Sequence, residues 1–445
     1  MEKRTGFTLV ELLAVIVILA IILMITVPGV LSIINKTKNE AYESQQKMIK
    51  EATRNYLVGQ RNQVVWNGQQ TIIGLTDLQD AGYLEKNLID PRDKSKLTNI
   101  SVLVTKQEKK NKLEIVYTDS SSANYPLYKK GMIPVVYDGG TWVKADVTNQ
   151  NQSWFDYSNQ QWANVATVTE DVRQTLLNAP VGTEVPMEKI NAMFVWIPRF
   201  KYKLWNTDGL SLPQSNPNLL NDYTIDVQFQ TPYKEKEMGT QNGEWLTHPG
   251  FTFGENELYG FWMAKFQVSY NQGTDFNAYT DAGAKVNAND PSKLLIKPNG
   301  IMWRSISLSN IMKNCMQMNQ EGNIFGLESD STPHLTKNME WGAFAYLTNS
   351  KYGKTGNKTY QGEEREVRAN NNNTYHSGCG ASVINEYEKS VCNTYETKHG
   401  QAASTTGNIT GVYDASGAAY EFVATAIQKA DQTIFSLNSG YSQAE

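Results

Sequence analysis

Several classes are excluded by what this chain lacks. Only 3 of its 445 residues are cysteine, too few for a disulfide scaffold. Charged residues make up 19% and the net charge is −4, which argues against a globally basic nucleic-acid binder. Apolar residues reach 40% and the mean hydropathy is −0.48, values that fit neither a polytopic membrane protein nor a disordered chain. There is no phosphate-binding glycine loop, no His-Glu-x-x-His and no serine-nucleophile elbow. Tandem repeats are absent, and the scattered carboxylates offer no pair for acid–base work. The length exceeds one ordinary domain, so two or three are expected.

What is present is concentrated at the start. Leu12 to Val27 is an apolar run broken only by Thr26. It is not a secretory signal peptide: the leader is short, Glu11 sits inside the apolar region, and no small-x-small cleavage site follows. Taken as a helix, 7–30 spans about 36 Å, enough to cross a bilayer. Glu11 then needs an explanation, since a carboxylate in a lipid-embedded helix costs on the order of 2.5 kcal/mol or more. Beyond the apolar part, Ala41, Met48, Ile49, Ala52 and Tyr56 recur at helical spacing, and Gly59 is a plausible stop.

The stretch KRTGFTLVEL (3–12) resembles the type IV pilin family, which includes the pseudopilins. The resemblance implies that a membrane-embedded prepilin peptidase cuts after Gly6 and that the amine of Phe7, freed by the cut, is N-methylated. It also implies that Glu11 neutralises the N-terminal amine of a neighbouring pilin subunit during filament assembly. Pairing with an ammonium makes a buried carboxylate tolerable. Pro28, in the apolar helix, removes one backbone hydrogen bond and loosens or kinks it; in the family this region can unwind inside filaments.

The expected organisation is a leader at 1–6, a pilin helix at 7–59 with its membrane part at 7–30, a small pilin-like head at 60–128, an aromatic β-segment at 129–186 and a large domain at 187–445. In the head, 76–84 reads as a short capped helix ending at glycine, 90–93 as a turn, and 100–104 and 112–117 as strands. In the aromatic segment, 131–143 reads as strand, Asp-Gly turn, strand. Trp154, Tyr157 and Trp162 read first as core and second as ligand-stacking rings. The large block reads as α+β. One helix is expected over 310–320, capped by Ser307 or Ser309, burying Ile311, Met312, Cys315, Met316 and Met318. A second starts after Thr336, carries Met339, Trp341, Phe344, Ala345 and Leu347, and stops at Gly353.

Five segments of this block, 194–200 (FVWIPRF), 260–269, 305–315, 335–346 and 406–422, occur in an order that resembles the formylglycine-generating enzyme and sulfatase-modifying-factor superfamily. That resemblance implies a C-type lectin-like fold. Family members that oxidise cysteine carry their reactive cysteines after the last of these segments. Here no cysteine follows Phe422, so either the domain ends early or the chain continues beyond Glu445, and no catalytic residue carries over.

Other chemistry is sparse. His376, Cys379, Cys392 and His399 are residue types that zinc accepts, but their spacing matches no metal motif; a Cys379–Cys392 disulfide is the preferred reading for an exported protein. Cys315 is expected as a buried helix thiol. The run Asn370, Asn371, Asn372 and Asn373, within the polar stretch 348–378, is the candidate ligand-binding loop, with a merely mobile loop as the alternative.

The functional expectation is a type IV pilin-like surface subunit, minor or at the tip, displaying a non-catalytic lectin-like domain that binds a surface glycan or protein. It would be anchored in the inner or cytoplasmic membrane before assembly and exposed at the cell surface afterwards. No cofactor or metal is expected. The alternatives are a pseudopilin of a secretion or DNA-uptake system, against which the acidic charge counts, and an exported formylglycine-generating-type oxidase.

Overall fold

The computed structural model describes residues 9–59, 70–92, 94, 97, 101–107, 112–118, 125–129, 131–147, 154–203, 225–230, 238, 244–253, 256–270, 284–329, 331–355, 366–383, 391–424, 427–428 and 434–435. It mixes helices and sheets in two compact units. One takes Met1–Val64, Ile72–Val104 and Leu113–Ser120, and the other takes Val65–Thr71, Thr105–Lys112 and Ser121–Glu445.

The first unit is built on helix α1 (Leu9–Gly59), whose helical span includes Pro28. Among the described residues no helix is long and apolar enough to cross a membrane. Apart from Leu13, the side chains of 12–27 lie outside the described ones. The second half of α1 buries Ile49, Ala52, Thr53 and Leu57, a set at helical spacing. Ala41 and Met48, expected on that face, are exposed. Between them the polar Gln45 faces the fold instead and donates from Nε2 to Ile89 O at 3.0 Å.

A small sheet follows, ordered β1 (Gln70–Gly74), β2 (Ser101–Gln107), β3 (Lys112–Thr118). Between β1 and β2 lies the short helix α2 (Leu75–Asp80), whose Asp77 carboxylate accepts from Gly74 N at 2.7 Å. Gly82 ends that turn with φ +78°. The turn at 90–92 is tied to α1: Arg92 bonds Asp90 in a fork, Nη2 to Oδ2 at 2.7 Å, and its guanidinium lies 3.4 Å from the Tyr42 ring centroid. A Cβ at Gly59 would lie 2.2 Å from Tyr83 Oη, so a side chain there obliges the tyrosine to shift.

The second unit centres on a five-stranded antiparallel sheet. Its strands are β4 (Ile133–Asp138), β5 (Thr141–Lys144), β6 (Asn164–Val168), β7 (Ile190–Pro198) and, later in the chain, β13 (Gly260–Ala264). The spatial order is β13-β7-β6-β4-β5, so strands from 129–186 and from 187 onward share one sheet. The β4–β5 hairpin turns through Gly139 and Gly140, with φ of +58° and +93°, the left-handed pair that a two-residue hairpin requires. Helix α3 (Glu170–Asn178) follows β6. Every residue of β7 is buried, as expected of a central strand covered on both faces.

Between β7 and β13 a smaller sheet is ordered β10 (Leu246–Thr247), β8 (Phe200–Lys203), β9 (Asp226–Phe229), and a two-stranded ribbon joins β11 (Thr252–Phe253) to β12 (Asn256–Glu257). Beyond β13, β14 (Ser269–Tyr270) pairs with β15 (Leu294–Leu295). Helix α4 (Leu308–Met316) is capped by Ser307, which accepts from Asn310 N. It is shorter than 310–320, and Met316 is exposed rather than buried. Helix α5 (Asn338–Thr348) buries Ala343, Phe344 and Leu347 and exposes Met339. It ends before Gly353, whose missing Cβ lets it lie against Thr348. A last ribbon pairs β16 (Cys379–Gly380) with β17 (Asn393–Thr394), before the one-turn helix α6 (Lys398–Gln401).

The core lies on both faces of the main sheet. One side gathers Ile133, Val135, Trp142, Met193, Phe266, Tyr395 and Tyr413. Trp154, Tyr157 and Trp162 are buried to 3%, 1% and 0% exposure, and their polar ends are used: Trp162 Nε1 donates to Tyr352 O and Tyr157 Oη to Trp196 O, both at 2.8 Å.

Candidate functional site

The second unit contains a cleft of about 1310 Å³. Many pieces of chain wall it, Leu127, Lys129, Trp303, Arg304 and Tyr375 among them. All of β13 borders it, together with Phe194 and Trp196 of β7; α4 contributes Ile311 and Cys315; α5 and the turn before it contribute His334, Glu340, Trp341 and Phe344; and 412–423 contributes Val412, Tyr413 and Tyr420 to Val423. Each of the five segments singled out in the sequence lends residues to this wall, although they are scattered over more than two hundred positions.

The local reasons differ. β13 is an edge strand, so its outer side is not covered by a neighbouring strand of the sheet. The turn before α5 is held by a capping box in which Glu340 accepts from Lys337 N at 2.9 Å, satisfying one of the helix's free donors. The chain at 412–423 can follow the wall because Asp414, Gly417 and Ala418 adopt positive φ, +65°, +81° and +66°. A Cβ at Gly417 would also strike the Asn370 backbone, 2.6 Å from its O.

Several of the cleft's polar groups have defined partners. His334 bonds at both ring nitrogens, Nδ1 to Thr332 O at 2.6 Å and Nε2 to Glu340 Oε1 at 2.9 Å. Both partners are acceptors, which suits the doubly protonated ring. Burial pulls the His334 pKa down, but the Glu340 carboxylate outweighs it and the net shift is upward. Lys337 Nζ lies 3.6 Å from the Phe253 ring centroid. Glu421 accepts from Gln267 Nε2 at 2.9 Å and Trp341 Nε1 at 3.0 Å, and burial raises its pKa. Cys315, on the wall, is partly accessible, but its apolar surroundings push the thiol up to about 12. It is therefore a protonated, weak nucleophile at neutral pH.

Two buried groups stand behind the wall. Lys265 is fully buried; its Nζ donates to Ile409 O at 2.7 Å and Gly411 O at 2.9 Å and lies 5.3 Å from the ring centroids of both Trp142 and Tyr413. Burial lowers its pKa well below the usual lysine value. Asp414 accepts from Asn370 Nδ2, Gly378 N and Gln267 N. Desolvation outweighs these bonds and raises its pKa to about 6. Together they pin the 406–418 stretch to the end of β13.

The residues proposed from sequence lie elsewhere. Gly6 and Phe7 lie outside the described residues, and Glu11 falls in the helical span of α1 with its side chain outside them. A disulfide joins Cys379 to Cys392, which removes both thiolates from the zinc alternative. Among the described residues no group of three or more His, Cys, Asp or Glu could hold a metal ion. Of the run expected as a recognition loop, Asn370 and Asn372 are buried. Asn370 Nδ2 donates to Asp414 and to His376 O, and Asn372 Oδ1 accepts from Thr374 N. Their amides brace the turn instead of facing solvent; Asn373 is exposed. His334, Lys265, Asp414 and Glu421 were not singled out as site residues. No spacing rule links 265, 334 and 421, and only the fold brings their surroundings together.

Comparison with known proteins bears on the other end of the chain. Residues 1–27 match the prokaryotic N-terminal methylation motif. The chain is also similar to competence protein ComGC of Bacillus subtilis (strain 168), with 33% identity over 92 residues, 21% of this chain and 86% of that protein. No solved structure matches the chain.

Proposed function

The chain belongs to the type IV pilin-like family that carries the prokaryotic N-terminal methylation motif, and from that premise we propose that it is a minor or tip subunit displaying a non-catalytic binding domain. Membership implies processing by prepilin peptidase and assembly with other pilin subunits. In this reading cleavage follows Gly6, Phe7 carries the methylated amine, and Glu11 pairs with that amine on a neighbouring subunit. The apolar run 12–27 is the membrane anchor before assembly, with the body on the outer side. The observation that carries the reading is the motif at 1–27 joined to a chain of which the ComGC match covers only about a fifth. The remainder includes a whole second sheet system and an apolar cleft.

The lectin-like fold expected for 187–445 belongs to this proposal, with 131–168 added to it because β4, β5 and β6 share its sheet. It is supported by the convergence of the five sequence segments on one cleft. Adhesion to a surface glycan or protein is the role such a displayed body would serve, and no catalysis is assigned to it. A Gly6→Trp substitution tests the processing step: mass spectrometry should show the leader retained, and an unchanged mature mass would reject the pilin reading.

A second reading is favoured by one observation, the likeness to a protein named for competence. In that reading the chain is a pseudopilin of a DNA-uptake system. DNA binding by the full-length protein should then fall steeply with salt, because phosphate contacts release counterions. Binding that is absent, or indifferent to salt, removes this alternative.

A further inference from the structure

We propose that the cleft is a docking groove for an extended polypeptide segment that adds as a strand to β13 and brings one lysine or arginine side chain to Glu421. The proposal rests on the reading of the second unit as a displayed binding domain and names the class of its partner.

The first support is backbone. Five consecutive residues, Gly260–Ala264, all border the cleft. Strand side chains alternate between faces, so an unbroken run of five means that the outer edge of β13 itself lines the space. β7 occupies the opposite edge. Over Gly260–Ala264, no described strand pairs with the outer edge. An edge of this kind at the mouth of an apolar groove is the template for strand addition.

The second support is charge. The Glu421 carboxylate takes hydrogen bonds from the Gln267 amide and the Trp341 indole, both neutral. Among the described residues no cation pairs with it. Glu340, the other acid beside α5, is by contrast served by His334 and Lys337. Glu421 is exposed at the rim of the cleft, and an arriving ammonium or guanidinium complements a rim carboxylate that has no counter-ion.

The third support is apolar surface. The partly exposed Trp262 and Met263 give alternate apolar side chains of the segment a surface to cover.

The test uses the full-length protein in detergent and three fluorescent seven-residue probes. One is the capped peptide Thr-Val-Lys-Val-Thr-Phe-Thr, one carries Glu in place of Lys, and one has alternate backbone nitrogens methylated. The lysine peptide should bind saturably, and the other two at least about tenfold more weakly. In Glu421→Gln the preference for Lys over Glu should disappear while the thermal midpoint stays within a few degrees; the peptide comparison on the unaltered protein stands even if that variant misfolds. Absence of saturable binding, or equal binding of the three peptides, overturns the groove. Glycan-array binding without peptide binding would overturn it while leaving the displayed-domain reading intact, whereas silence on both would sink the two together.

Discussion

His334 shows how one ring can read pH at the cleft. Its two nitrogens face a carbonyl and a carboxylate, so the charged ring satisfies both and the neutral ring only one. Because its folded pKa lies above the unfolded value, its stabilising contribution is complete below about 6.5 and is lost as pH rises through the folded pKa. A double-mutant cycle of His334→Ala with Glu340→Gln should give a coupling about 1 kcal/mol larger at pH 5.5 than at pH 9. Equal coupling at the two pH values would show that the ring keeps one charge state across this range and overturn its titration there. Asp414 shifts the same way for a different reason. It is an acid whose raised pKa reflects burial, so it favours the fold when protonated and disfavours it as pH rises through about 6. Neither residue carries a local sequence signal, since an isolated His or Asp gains its character from what packs against it.

Elements were more legible. The 3.6-residue spacing at 49, 52 and 56 marks the packed half of α1, though 41 and 48 of the same pattern are exposed, and Asp138-Gly139-Gly140 marks the hairpin, because only residues tolerant of positive φ make that turn. Ser307 as a cap for α4 follows from its side-chain oxygen one position before the helix. The faces were less legible. Met316 and Met339 belong to helical patterns but stand about half exposed, since methionine on a helix reveals the period without saying which neighbour is absent. The β16–β17 ribbon is short, and the Cys379–Cys392 bridge spans a separation of 13 residues around it. Closing a loop of that size should contribute about 2–4 kcal/mol. Cys392→Ser should therefore lower the thermal midpoint measured by circular dichroism, with the far-ultraviolet spectrum retained. An unchanged midpoint would mean that the ribbon holds without the bridge.

At the scale of the molecule, the N-terminal segment and the cleft-bearing unit answer to different constraints. The first must be cut, anchored and packed into an assembly; the second must keep a groove open. Glu11→Ala separates them. Membrane insertion should persist, because removing a charge from an apolar helix favours it, while incorporation into filaments should drop severalfold in sheared-filament immunoblots. Normal incorporation would remove the proposed pairing with the Phe7 amine.

The sequence alone determined the N-terminal methylation motif, the apolar run, the helical and hairpin periods and the pairing class of the cysteines. Each depends on residues close together or on chemistry borne by a single residue type. Tertiary structure decided the rest. It placed the strands of 129–186 in the sheet with β7, turned Asn370 and Asn372 inward as braces, and left the outer edge of β13 facing a cleft beside Glu421. These outcomes depend on contacts between segments as far apart as residues 164 and 410. Packing selects such pairs for complementary shape and satisfied hydrogen bonds, neither of which has a period along the chain.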